Sequence, residues 1–301
     1  RAAPARVTIE VIEIEDNVAQ LRNALAAAAK RGVKLAVGPL TRALVNALGD
    51  GRVVAPLPVL TLNLPESDAA VAPDSLAFGL AIEAEARQVV ALALAELPPA
   101  ATTAPRFLLL AGESALARRM AAAFRDALRE RGERATQLDV KVGYAVLQTL
   151  SEQLPQLKVD AVLAALDARE AAFIRPRLPA GLPVYATSQV NLGGAEAALL
   201  APDLDGVRFV DMPWLLEPDH PAVIVYPRAQ VALSGELQRL YALGIDAYRV
   251  MTEWLAGRRE FEIDGVTGRL RVDRGRSARV ERRPLAAVFR SGRIERLESA
   301  R

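Results

Sequence analysis

Apolar and polar positions along the chain change period several times, and each change marks an element. "VTIEVIEI" (7–14) alternates residue by residue, which predicts a strand. "VAQLRNALAAAAKR" then spaces its apolar residues three and four apart, as one face of a helix does; Asp16 or Asn17 can cap it and Gly32 stops it. "VKLAVG" (33–38) reads as a buried strand, Thr41 caps a short helix ending near "LGDG", and "LPVLTLN" (57–63) is the next strand. "LAFGL" precedes a helix from about Ile82 to Leu97. The order β-α-β-α-β-β-α predicts a parallel sheet covered by helices.

"PPAATTAPR" (98–106) is the strongest linker signal in the chain, and the pattern restarts after it. "RFLLLAG" is a strand. Ser114 caps a long helix to Arg131, and Gly132 ends it. "RATQLDV", "VDAVLAAL" (159–166), "LPVYATS" (182–188) and "DGVRFVD" (205–211) are strands, with helices over 144–153 and 168–175 between them. Two successive doubly wound α/β units are therefore expected. Residues 229–257 read as helical, and the remainder as β-hairpins turning at Asp264-Gly265, Gly275 and Ser291-Gly292. A helix followed by hairpins suggests that the chain crosses back to the first lobe and then returns. The expected division is 1–104 plus 228–257 for one lobe and 105–227 plus 258–301 for the other.

Composition narrows the function classes. Hydrophobic residues make up 51% and charged residues 25%, a globular balance. No apolar run approaches the roughly 20 residues that span a bilayer. With no cysteine, disulfides, thiolate metal sites and a cysteine nucleophile are excluded. Net charge is only +2, and aromatics are 5% and scattered, unlike a nucleic-acid binder with its basic stripe and stacking rings.

Ligands of open α/β sheets bind at the carboxyl ends of strands. Those loops hold Thr41, Asn63, Ser114, Thr187, Ser188, Gln189 and Asp211, with Trp214 just beyond. Hydroxyls beside helix N-termini suit a small anion or zwitterion, although caps stand at the same places for structural reasons. Trp214 reads either as an anchor or as an aromatic wall, with the anchor favoured. Catalytic, metal and cofactor sets are all weak. No GxGxxG or phosphate loop is present, and "GESAL" lacks the second glycine of a nucleophile elbow. His220, the sole histidine, lies between prolines in "EPDHP", as a surface turn would. No enzyme activity, cofactor or metal is expected.

"LPVYATSQVNLGG" followed by "DLDGVRFVDMPWLL" resembles the LpoA/LppC family of lipoproteins, outer-membrane activators of penicillin-binding proteins. "VGPLTRALVNAL", "LPVLTLN", "RLYALGIDAYRV" and "GVTGRLRVD" agree and keep the family's order from residue 37 to 273. The resemblance implies two Rossmann-like lobes of the type I periplasmic-binding-protein kind, joined by three crossovers. It implies the C-terminal domain alone, since the family's helical-repeat domain and lipidated cysteine are absent from these residues. The implied role is stimulation of a bifunctional class A penicillin-binding protein by contact, at the periplasmic face of the outer membrane. The alternative is a periplasmic solute receptor that holds an amino acid or cell-wall fragment between the lobes.

Overall fold

In "FLLLAG" every residue is buried, yet alternate side chains enter different cores. This separation organises the larger unit of the computed structural model, which describes residues 7–66, 72–97, 105–141 and 143–298. By contact the chain divides into residues 1–81 with 241–282, and 82–240 with 283–301, so it passes between units three times.

The first unit starts with α1 (Val18–Lys30), β1 (Ala36–Val37), α2 (Arg42–Gly49), β2 (Val59–Thr61) and β3 (Ser75–Ala77). Asn17 caps α1, its side chain accepting from the Ala19 and Gln20 amides. Leu21, Leu25 and Ala28 are the buried residues of α1, and Leu21 and Leu25 meet Leu44, Leu48, Val53 and Val59 in a small core. Strands β1, β2 and β3 pair in parallel, in that order.

The second unit takes α3 (Ile82–Glu96), β4 (Phe107–Gly112), α4 (Ala115–Arg129), β5 (Ala135–Val140), α5 (Tyr144–Leu157), β6 (Ala161–Ala165), α6 (Ala168–Ile174), β7 (Val184–Ala186), α7 (Gly194–Leu200), β8 (Val207–Asp211) and α8 (Pro213–Leu216). Leu108 and Leu110 of β4, with Val162 and Ala164 of β6, enter one core. Phe107, Leu109 and Ala111, with Ala161, Leu163 and Ala165, enter the other, against α3 and α4. A parallel strand buried on both faces needs this continuous apolar run.

Helix α9 (Gly235–Leu255) leads out of the second unit into the first. There β9 (Glu260–Asp264), β10 (Arg269–Asp273) and β11 (Glu281–Arg283) form a second small sheet. Phe261, Ile263, Leu270 and Val272 alternate inward to meet Leu60, Leu76 and Phe78, while charged residues alternate outward. The chain then returns as β12 (Leu285–Arg290), antiparallel to β8, and β13 (Arg293–Arg296). The seven-stranded order is β13-β12-β8-β7-β6-β4-β5.

The α/β class and the hairpin tail agree with expectation; several details do not. Residues 7–14 belong to no strand, with Ile9 and Val11 exposed. The 33–38 strand shrinks to β1, and the helix expected over 144–153 continues to Leu157. Most of the expected linker, 98–104, lies outside the described residues. Helix α3 groups with the second unit because Val89, Val90 and Ala93 pack against β4 and α4. Hairpin β9–β10 groups with the first because its apolar face joins β2 and β3.

Two glycines of α9 face opposite conditions. A Cβ on Gly235 would overlap the Leu192 carbonyl, whereas one on Gly244 would meet nothing within 4 Å. Gly235→Ala is expected to lower stability by about 1–3 kcal/mol, the usual cost of overpacking. Gly244→Ala, at an exposed helix-interior position, is expected to raise it by up to about 1 kcal/mol. Urea unfolding of both variants checks the contrast.

Candidate functional site

The carboxyl ends of β7 and β8 meet the first turns of α9 in a buried polar knot. β8 ends on Asp211, which is 1% exposed. β7 ends at Ala186 and runs into Thr187, Ser188 and Asn191, all buried. Arg239, 8% exposed, reaches them from α9. Its Nε donates to Asp211 Oδ1 at 3.1 Å and its Nη2 to Asp211 Oδ2 at 2.6 Å, a forked carboxylate pair. Nη2 also donates to the carbonyls of Ser188 (2.9 Å) and Asn191 (2.7 Å).

The other groups of the knot are satisfied in turn. Asp211 accepts from the Asn191 amide side chain at 2.9 Å and from the Met212 backbone at 2.8 Å. The Asn191 oxygen accepts from the Gly193 amide. Glu85 of α3, 5% exposed, accepts from the Ser188 amide at 3.2 Å. Burial opposes the charge on Arg239, but the Asp211 carboxylate and its hydrogen bonds outweigh this, with Glu85 and Glu236 adding to them. The guanidinium pKa is raised above its ordinary value. The fit also needs the glycines of "NLGG": Gly193 has φ +68°, and a Cβ there would stand 3.3 Å from Gly235.

The expected site residues divide among several places. Thr187, Ser188 and Asp211 come together here; the Thr187 hydroxyl donates to Met120 Sδ. Gln189 is partly exposed beside them. Trp214 is 2% exposed, with the Arg228 guanidinium 3.8 Å above its ring and donating to its carbonyl, an anchor's environment. Ser114 is the exposed cap of α4, accepting from Ala117. In the first unit, Thr41 precedes α2 and donates to Asp16, while Asn63 donates to the Leu40 carbonyl. His220 accepts from the Ala222 amide in its turn. Among the described residues no group of three histidines or carboxylates is placed to hold a metal.

Sequence reasoning missed Arg239, Asn191 and Glu85. A signal was present: Arg239 and Asp246 stand seven apart on the buried face of α9, alongside Ala242, Leu243 and Val250. Asp246 serves the first unit as Arg239 serves the second. It is fully buried and accepts from the Val266 amide (3.1 Å) and from the Thr267 amide and hydroxyl (both 2.7 Å).

The LppC lipoprotein family matches residues 2–132 and 113–292. The chain belongs to the LppC family. Penicillin-binding protein activator LpoA of Enterobacter sp. (strain 638) is 28% identical over 305 residues, 86% of this chain and 41% of that protein. LpoA of Vibrio antiquarius (strain Ex25) is 27% identical, covering 81% of this chain and 45% of that one. This LppC chain thus spans less than half the length of those relatives. Among solved structures, the C-domain of LpoA (YraM) from Haemophilus influenzae, a regulator of PBP1A, aligns with TM-score 0.73 at 22% identity, over 92% of this chain and 86% of that one. A Chromobacterium violaceum protein described as a branched-chain amino acid ABC transporter aligns with TM-score 0.72 at 38% identity, over 89% and 84%.

Removing Asp211 would strand the Arg239 charge in a buried place. Asp211→Ala is expected to cost about 3–5 kcal/mol. Adding Arg239→Met should recover part of that loss, because the buried guanidinium is then no longer left without Asp211. Equilibrium denaturation of the single and double variants checks the coupling.

Proposed function

We propose that this chain is a non-enzymatic activator domain. It stimulates a bifunctional class A penicillin-binding protein by contact, at the periplasmic face of the outer membrane, and does no peptidoglycan chemistry itself. Its LppC membership and the relatives named as activators support this reading. The observation that carries it against a receptor is the polar knot. The acceptors at the ends of β7 and β8 are taken by the chain's own Arg239. Among the described residues no helix is long and apolar enough to cross a membrane.

A contact function also needs a surface. Residues 221–235 contain one charged side chain, Arg228, and it is folded over Trp214. Ile224, Val225 and Val231 are left 66%, 68% and 69% exposed. Exposed apolar stretches of this kind are suited to contact with a protein surface. The second reading, a solute receptor, is favoured by the name of the Chromobacterium violaceum relative.

Surface plasmon resonance against the cognate class A synthase, together with a glycan-polymerisation assay, tests the proposal. Binding and faster polymerisation are expected. Absence of both sinks the reading. The Ile224→Asp/Val231→Asp variant is expected to weaken synthase binding tenfold or more with its thermal midpoint unchanged. A thermal-shift screen with amino acids and muropeptides addresses the receptor, and a tight ligand there would favour it.

A further inference from the structure

We propose that the ends of β7 and β8 form a binding site for a guanidinium or ammonium cation, which Arg239 keeps filled from within the chain. The site is built almost wholly of acceptors. Both oxygens of the buried Asp211 and the carbonyls of Ser188 and Asn191 converge on one planar group. Glu85 stands behind Ser188 and adds a second buried carboxylate. The two donors that reach Asp211, from Asn191 and Met212, leave its charge unneutralised. A buried carboxylate of this kind requires a cation.

Here the cation arrives on a side chain of the same polypeptide, so it competes at a high effective concentration with any free cation. With a short residue at position 239, the same acceptors would face an unoccupied space shaped for a guanidinium. Arg239 is therefore the residue that decides whether this unit takes up a cationic solute or stays closed. This inference rests on the activator reading for its biological sense, but its chemistry stands apart from any partner.

The test uses the whole chain with Arg239→Ala, Arg239→Lys and the double variant Asp211→Asn/Arg239→Ala. Each is titrated with methylguanidinium chloride at millimolar, non-denaturing concentrations, with sodium chloride as control, and followed by thermal unfolding and calorimetry. Arg239→Ala is expected to have a lowered midpoint that methylguanidinium raises by several degrees. Wild type and the double variant should respond no more than to sodium chloride, and Arg239→Lys should lie close to wild type. If Arg239→Ala does not fold unaided, recovery of its far-UV circular dichroism by methylguanidinium, and not by sodium chloride, is the supporting result. Failure of Arg239→Ala to respond in either form overturns the proposal, as does an equal response from wild type or the double variant. Synthase binding by the wild-type chain is measured separately, so loss of the activator reading is distinguishable from loss of this one.

Discussion

A guanidinium and a carboxylate, both taken out of water, set the terms for the second unit. Separating either from solvent is costly, and their attraction offsets that cost only with forked geometry and every remaining group satisfied. Arg239 and Asp211 meet the condition with four acceptor contacts gathered by one side chain, three of them sharing the two hydrogens of Nη2. The requirement spreads outward. Ser188 and Asn191 must turn their carbonyls inward, which fixes the path after β7. Gly193 and Gly235 must lack side chains, because α9 starts close against residues 192–193. A one-residue shift of α9 would withdraw Arg239 and leave Asp211 unpaired.

The same helix repeats the device in chemically opposite form. Arg239 brings donors to carbonyls and a carboxylate; seven residues on, Asp246 brings acceptors to the amides of Val266 and Thr267. The turn between β9 and β10 closes on that carboxylate. A Cβ on Gly265 would stand 2.5 Å from Asp246 Oδ2, so the glycine is there for close approach. The segments "YATSQVNLGG", "DMPWLL", "GIDAY" and "GVTG" are thus parts of two buried polar junctions and the loops that fit them, together with the buried Trp214.

Local pattern revealed what local physics controls. The cap at Asn17 and the spacing of Leu21, Leu25 and Ala28 defined α1. The continuous apolar runs at 107–112 and 161–165 defined two central strands. It failed where a partner decides. Residues 7–14 alternate, but a strand also needs a neighbouring edge, and alternation encodes none. A proline-rich stretch at 98–106 suggests a unit boundary, yet the division falls before α3, whose apolar face chooses its core by tertiary packing. Hydroxyls after strands suit ligand contact and helix capping alike. Ser114 caps α4 and Thr187 makes a buried contact; capping and ligand binding ask for the same residue types at the same place.

The polar residue that mattered most lay outside every strand-end loop, on a helix, among apolar neighbours. An arginine on the buried face of a helix calls for a partner acid, and Asp211 already stood among the strand-end candidates. Pairing the two from sequence needed only the rule that buried charges are matched. A fold shared with solute receptors supplies acceptors at strand ends, whatever the chain does with them. Its use depends on what meets those acceptors. In this chain they are met from within, so the chemistry most suited to capturing a solute holds the unit together instead.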